Sequence, residues 1–124
     1  MSAPRPTILI ADDYPENCQL FEIYLRKGYD VVTAQSAEEA ARRLAGGGVD
    51  VALLDLNYQG GMTGIELVQQ IRADPRLSTL PTLALTAHAS PEDRRRCLEA
   101  GFDAYLSKPV MKADMLAAVE KLLA

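Results

Sequence analysis

The sequence predicts an α/β protein built on a five-stranded parallel sheet with helices on both faces. Short aliphatic or β-branched runs alternate five times with stretches of helical periodicity. Several of these runs are almost continuously aliphatic, which is typical of strands covered on both faces. Right-handed crossovers leave few topologies for a (βα)5 chain, and we expect the order 2-1-3-4-5, which is one of the two common doubly wound arrangements. The length of 124 residues suits one domain, so we expect a single domain spanning residues 1–124.

The predicted strands are bounded by turn residues and caps. They cover Thr7–Ala11, Asp30–Thr33, Val49–Leu54, Thr82–Leu85 and Ala104–Leu106. The predicted helices cover Pro15–Lys27, Ala37–Ala45, Gly64–Ala73, Pro91–Ala100 and Met111–Leu123. Capping boxes begin the second and third helices, with Ser36 before Glu39 and Thr63 before Glu66. The triplet at residues 46–48 is a helix stop and not a phosphate loop, because no Gly-Lys-Ser/Thr follows it.

Composition excludes several classes of function. A formal charge of −4 and 48% hydrophobic residues indicate a soluble globular protein, and argue against nucleic acid or a membrane as partner. No apolar run could cross a bilayer or serve as a secretory signal, so a cytoplasmic location is expected. Cys18 and Cys97 lie in predicted helices and are expected to be reduced thiols. The arginines at 94–96 form either a solvated helix face or a partner surface.

The residues whose side chains could bind a ligand or react follow the carboxyl ends of four different strands. In an open parallel sheet these ends form one rim, where ligands bind at the point of strand-order reversal. The residues concerned are Asp12, Asp13, Asp55, Thr86 and Lys108. Three neighbouring carboxylates repel one another unless a cation lies between them. Oxygen-only ligands favour a hard ion, so we expect Mg²⁺, with Mn²⁺ as the other possibility.

Lysine beside such a metal concentrates positive potential at one point, as sites for phosphoryl transfer do. A carboxylate can itself accept the phosphoryl group and form an aspartyl phosphate. Asp55 is the best candidate for that nucleophile, because it follows the central strand and has partners on both sides. Thr86 could then donate a hydrogen bond to a phosphoryl oxygen, and we also place Ala87 in the cofactor-binding part of the site.

The segments ILIADD, VALLDL, LALTA and YLSKP, in this order and spacing, resemble the receiver domain of two-component response regulators. The resemblance covers essentially the whole chain and implies a flavodoxin-like fold. It implies that Asp55 accepts phosphate from a phosphohistidine on a histidine kinase or a histidine phosphotransfer protein. It further implies that Asp13, Asp55 and the backbone carbonyl of Asn57 bind Mg²⁺, with Asp12 acting mainly through coordinated water.

The resemblance also implies a conformational switch. Thr86 and Lys108 would hold the phosphoryl oxygens, and Tyr105 matches an aromatic residue that turns inward when Thr86 moves toward the phosphate. The surface formed by the fourth helix, fifth strand and fifth helix would then change its affinity for a downstream protein that the sequence does not identify. In the family the peptide bond before Pro109 is usually cis. The chain would be a monomer or a weak, phosphorylation-dependent dimer.

Two positions depart from the common pattern or stay open. The family usually has a Met-Pro pair soon after the aspartate and a glycine eight residues on. Here the loop has no proline and Gly64 lies nine residues on, so we expect a longer, looser loop. That expectation bears on the carbonyl of Asn57 as a metal ligand. His88 is either an exposed loop residue or a neighbour of the phosphoryl pocket that modulates dephosphorylation.

The sequence therefore predicts a phosphoacceptor switch and not an enzyme. Other functions remain as alternatives. The domain could be a phosphorelay shuttle or sink, in which Asp55 passes its phosphate onward. It could be a docking module that works without phosphorylation. A phosphatase using an aspartyl phosphate is disfavoured, because such enzymes carry a second aspartate where this chain has Asn57.

Overall fold

A computed structural model describes residues 5–58, 60–87 and 90–124. The five strands are β1 (Thr7–Ala11), β2 (Asp30–Ala34), β3 (Val51–Asp55), β4 (Thr82–Thr86) and β5 (Ala104–Ser107). The helices are α1 (Pro15–Leu25), α2 (Ala37–Ala45), α3 (Gly64–Ala73), α4 (Pro91–Ala100) and α5 (Lys112–Leu123). The strands pair in parallel in the order β2-β1-β3-β4-β5, which confirms the predicted topology and the flavodoxin-like (βα)5 fold.

Several predicted boundaries were wrong by one or two residues. β3 begins at Val51 and not at Val49, because the chain is still returning from Gly47 and Gly48, both at positive φ. The helix α1 ends at Leu25, two residues before the predicted end. At the carboxyl ends of β3 and β4 the strands extend one residue further than predicted. Asp55 and Thr86 are therefore strand residues, held by the ladder and not by a loop.

Both faces of the sheet are packed, as the aliphatic strands predict. On one face the side chains of Ile8, Ile10 and Leu53 pack with α1 and α5. On the other face Leu9 and Leu54 pack with α2 and α3. The capping box predicted for α3 is present. Of the box predicted for α2 only one half forms: the Ser36 hydroxyl accepts the N–H of Glu39, but the carboxylate of Glu39 accepts the N–H of Gln35. In the described ranges no helix is long and apolar enough to cross a membrane.

Both cysteines are buried free thiols, as the sequence predicts. Burial, with the nearby charge of Asp12, raises the pKa of the Cys18 thiol to about 11. The thiol donates a weak hydrogen bond to the carbonyl of Asp12 at 3.4 Å. Cys18 is therefore a protonated thiol that packs in the core near the end of β1. Burial also raises the pKa of Cys97.

Candidate functional site

Three carboxylates converge at the carboxyl end of the sheet. Asp12 directly follows β1 and is fully buried, and Asp55 is the last residue of β3 and only 5% exposed. Asp13 is half-buried beside them. One ligand atom from each of the three residues lies within 4.8 Å of the others. The sequence placed these side chains at one rim, and the structure brings them together.

Lys108 lies between two of these carboxylates. Its ammonium nitrogen Nζ donates to Oδ2 of Asp12 at 2.9 Å and to Oδ2 of Asp55 at 3.0 Å. The lysine backbone is fixed to the neighbouring strand, because its N–H donates to the carbonyl of Thr86 at 2.7 Å. The peptide bond between Lys108 and Pro109 is cis, the geometry expected from the resemblance.

Burial and charge perturb this cluster in opposite directions. Burial raises the pKa of Asp55, although the hydrogen bond and charge of Lys108 partly oppose the shift. For Lys108, burial alone would lower the pKa, but its hydrogen bonds to Asp12 and Asp55 outweigh that effect and raise it. The lysine therefore stays charged at neutral pH. One ammonium faces three carboxylates, so the cluster has a deficit of positive charge.

That donor set fits a hard divalent cation. Carboxylate oxygens are the ligands that Mg²⁺ prefers, and the described cluster offers neither a histidine nor a cysteine ligand. A divalent ion would also relieve the repulsion between the carboxylates. On chemistry and spacing, Asp12, Asp13 and Asp55 are therefore suitable residues to hold Mg²⁺.

The carboxylate of Asp12 has further partners that sequence reasoning missed. Its Oδ1 accepts the backbone N–H of Tyr14 at 2.9 Å, and its Oδ2 accepts the side-chain amide of Asn17 at 3.2 Å. The N-cap residue of α1 is Tyr14, and no side chain caps that helix. Asp12 is thus oriented by the first turn of α1 without being its N-cap. An amide one helical turn after a functional aspartate is a signal that could have identified Asn17.

The described part of the loop after Asp55, residues 56–58 and 60–63, is fastened to its surroundings. The N–H of Asn57 donates to Oδ1 of Asp55 at 3.2 Å. The hydroxyl of Tyr58 donates to the carbonyl of Ala11 at 3.2 Å. Further on, the N–H of Met62 donates to Oε2 of Glu38 in α2 at 2.7 Å. These contacts hold the loop to β1 and α2, where we expected looseness.

The loop ends at a glycine that the packing requires. The N–H of Gly64 donates to the carbonyl of Leu56 at 3.0 Å. A Cβ atom at position 64 would lie 2.2 Å from the carbonyl oxygen of Asp55 and 2.8 Å from Cα of Leu56. Any larger residue would therefore displace the backbone of the candidate nucleophile.

The other predicted site residues lie around this cluster. Thr86 ends β4 and is buried, and Ala87 follows it on the surface. Tyr105 is half-buried and close to α4, where burial and the nearby Cys97 raise its pKa. His88 lies outside the described residues. The arginines at 94–96 are all exposed on α4, which leaves both interpretations of that run in place.

Comparison with known proteins identifies the family. The model of the response regulator receiver domain matches residues 8–120. The chain therefore belongs to the receiver domain family of two-component signalling systems. Receiver domains are signalling switches that interact with histidine kinases or phosphotransfer proteins and bind Mg²⁺ in their active sites.

Individual relatives agree with this assignment. The chain is 41% identical over 105 residues to the sensor histidine kinase RcsC of Salmonella typhimurium, a match over 83% of this chain. It spans only 11% of that kinase's length. It is 32% identical over 124 residues to the sensor protein GacS of Pseudomonas syringae, covering 98% of this chain and 14% of that protein.

Solved structures of receiver domains have the same fold as this chain, and one of them contains a bound metal ion. The receiver domain of the sensor histidine kinase PA1611 from Pseudomonas aeruginosa superimposes with a TM-score of 0.87. The identity is 31%, over 96% of this chain and 98% of that one. That structure contains a magnesium ion coordinated in its active-site cleft.

Proposed function

We propose that residues 1–124 form one receiver domain whose phosphoacceptor is Asp55. The observation that carries the proposal is the position of this carboxylate. It is buried at the end of the central strand, 3.0 Å from the Lys108 ammonium, and beside two further carboxylates. The donor would be a phosphohistidine on a kinase or phosphotransfer protein, the donor class of the family.

In the transfer, a carboxylate oxygen of Asp55 forms a bond to phosphorus while the bond from phosphorus to the histidine nitrogen breaks. The leaving imidazole nitrogen takes up a proton from solvent, so the products are an acyl phosphate and a neutral histidine. Lys108 would move from its carboxylate partners to a phosphoryl oxygen and stabilise the transferred charge. Mg²⁺, bound by Asp13, Asp55 and the carbonyl of Asn57, would neutralise the phosphoryl oxygens.

The output would be a population shift between two surface states. Thr86 ends the strand beside β3 and would donate its hydroxyl to the phosphoryl group. Tyr105, half-buried against α4, would then move inward, and the α4–β5–α5 face would bind a downstream protein differently. His88, two residues past Thr86, would modulate the lifetime of the acyl phosphate. We place this switch in the cytoplasm.

The test is incubation with Mg²⁺ and acetyl phosphate, followed by intact mass spectrometry. We expect one phosphoryl adduct on the wild type and on the control Asp50→Asn, an exposed residue that precedes β3 at the amino end of the sheet, opposite the site. Asp55→Asn and an EDTA-treated sample should carry none. An adduct that survives in Asp55→Asn would reject Asp55 as acceptor. Turnover of p-nitrophenyl phosphate by the wild type would instead indicate an enzyme.

A second candidate, a relay intermediate, is favoured by the match to a segment of sensor histidine kinases. A receiver that belongs to such a relay passes its phosphate onward to a histidine. The two functions differ in what happens to phosphorylated protein purified away from its donor. Rapid transfer from Asp55 to a histidine phosphotransfer protein would favour the relay, whereas a new protein partner for the phosphorylated state would favour the switch.

A further inference from the structure

The pairing between β1 and β3 ends just before the residues that carry the carboxylates. The ladder between β1 and β3 ends at the pair Ala11 and Leu54. Asp12 and Asp13 follow the first of these residues, and Asp55 follows the second. The backbone N–H of Asp12 donates to the carbonyl of Ala34 in β2 at 3.0 Å. Beyond the last paired residues of β1 and β3, side-chain contacts can affect the spacing between the two carboxylate-bearing segments.

Two described side chains bridge this gap in different ways. Lys108 bridges it through carboxylate oxygens, Oδ2 of Asp12 and Oδ2 of Asp55. Those atoms belong to residues that would bind the metal, so this bridge competes with metal binding. Tyr58 bridges the gap through a backbone carbonyl, because its hydroxyl donates to the oxygen of Ala11 at 3.2 Å. This second bridge uses no carboxylate oxygen, so metal binding does not require it to break.

The hydroxyl of Tyr58 is a neutral hydrogen-bond donor in a partly buried position. The side chain is half-buried and packs against the hydrophobic cluster between the sheet and α2 and α3. Burial, together with the charges of Asp55 and Asp12, raises the pKa of Tyr58. A phenol of ordinary pKa, about 10, is already protonated in the physiological range, so the hydroxyl can donate there without this shift. A neutral donor held near several carboxylates adds no charge to the cluster, so its effect is on geometry.

Tyr58 lies next to a proposed metal ligand in the loop after β3. Tyr58 directly follows Asn57, whose N–H donates to Oδ1 of Asp55 and whose carbonyl is the proposed metal ligand. We propose that Tyr58 is a positioning residue for Mg²⁺. The Tyr58 hydroxyl, by donating to the carbonyl of Ala11, sets the distance between the Asn57 backbone and the Asp12–Asp13 segment. This inference rests on the proposed function, because it assumes that the carboxylate cluster binds Mg²⁺.

The test removes one oxygen atom, by Tyr58→Phe in the full chain. We expect the dissociation constant for Mg²⁺, measured by titration calorimetry, to rise roughly tenfold, the usual scale for a residue that supports metal ligands. The Mg²⁺ concentration that gives half the maximal phosphorylation rate with acetyl phosphate should rise by the same factor. The rate at saturating Mg²⁺ should match that of the wild type, because the nucleophile is untouched.

Two further proteins separate positioning from general stability. Tyr29→Phe makes the same change in the turn between α1 and β2, at the amino end of the sheet and away from the site, and should leave Mg²⁺ affinity unchanged. 4-Aminophenylalanine at position 58 restores an N–H donor at the same place and should recover Mg²⁺ affinity. Tyr58→Phe with a lowered Tm but wild-type affinity for Mg²⁺ would overturn the inference, since Tyr58 would then only hold the loop.

Failure of the proposed function gives a different result. A wild type that binds Mg²⁺ but takes no phosphoryl adduct would reject Asp55 as acceptor. The comparison of Mg²⁺ affinities between Tyr58→Phe and the wild type would still decide the role of Tyr58. A wild type that binds no Mg²⁺ would overturn the positioning role directly.

Discussion

Each end of the sheet contains a partly buried cation that is hydrogen-bonded to several oxygen atoms, but the charge of the cation is balanced differently at the two ends. At the amino ends of the strands, Arg72 of α3 meets one carboxylate, that of Asp103, at 2.9 Å. Its other hydrogen bonds go to neutral oxygens: the carbonyls of Gly101, Ser78 and Leu80, and the hydroxyl of Thr82. Every N–H of the guanidinium is used.

At the carboxyl ends, Lys108 meets the opposite situation. One ammonium is shared between Asp12 and Asp55, and the carboxylate of Asp13 is close to both. Removing Arg72 would leave hydrogen-bond acceptors unsatisfied at the amino end. Adding a cation beside Lys108 would instead relieve the repulsion between the carboxylates at the carboxyl end. The first arrangement should contribute mainly to stability, whereas the second has the charge and the oxygen donors that suit a bound cation. The following changes should separate the two.

The largest loss of stability is expected at the amino end. Arg72→Met would remove the donor to three backbone carbonyls and the cation beside Asp103, which still accepts the N–H of Thr82, so the free energy of unfolding should fall by about 3 kcal/mol. Urea unfolding measures this change. Arg43→Met, which removes an exposed arginine from α2, serves as the control. Mg²⁺ affinity should not change, and a loss of that affinity would link the two ends in a way the contacts do not indicate.

A smaller loss is expected from Lys108→Met in EDTA, about 2 kcal/mol at neutral pH. Without the ammonium, the pKa of Asp55, already raised by burial, should rise further. A carboxyl whose folded-state pKa is raised loses stability as pH rises from its ordinary pKa through the raised one. The difference from the wild type should therefore narrow as the pH is lowered through the raised pKa of Asp55.

Mg²⁺ gives the sharper readout for this variant. Because the ion no longer competes with the ammonium for Asp12 and Asp55, it should raise the Tm of Lys108→Met more than that of the wild type. Lys112→Met, an exposed lysine at the start of α5, should respond to Mg²⁺ as the wild type does. An equal rise in Tm for Lys108→Met and wild type would contradict the competition.

The sequence predicts the carboxyl-end cluster better than the amino-end one, for a physical reason. Parallel strands end at a common rim, so residues that follow aliphatic runs, such as Asp55 and Thr86, are brought together by the topology itself. Arg72 could not be singled out, because its partners are backbone carbonyls of loops whose paths the sequence does not reveal. Tyr58 could not be singled out either, because it lies in the loop after β3 and its partner is the backbone carbonyl of Ala11 in β1.

The smallest effect has the opposite sign and comes from Asp55→Asn in EDTA. The raised pKa of Asp55 means that its ionised form is less favourable in the folded protein than in the unfolded chain. Asparagine removes that charge and keeps an oxygen that can accept from Lys108 and from the N–H of Asn57. The free energy of unfolding at neutral pH should rise by about 1 kcal/mol, which is a Tm increase of roughly 3–5 °C.

The pH dependence separates this explanation from a general packing effect. As the pH falls through the raised pKa of Asp55, the wild type becomes protonated there and the advantage of Asp55→Asn should disappear. The control Asp50→Asn, whose carboxylate accepts the N–H of Thr7 at the other end of the sheet, should show no such gain. A loss of stability in Asp55→Asn would mean that the ammonium of Lys108 more than offsets the burial of the charge. The carboxyl-end cluster would then be a stabilising ion pair like that of Arg72 with Asp103, and not a place kept for a cation.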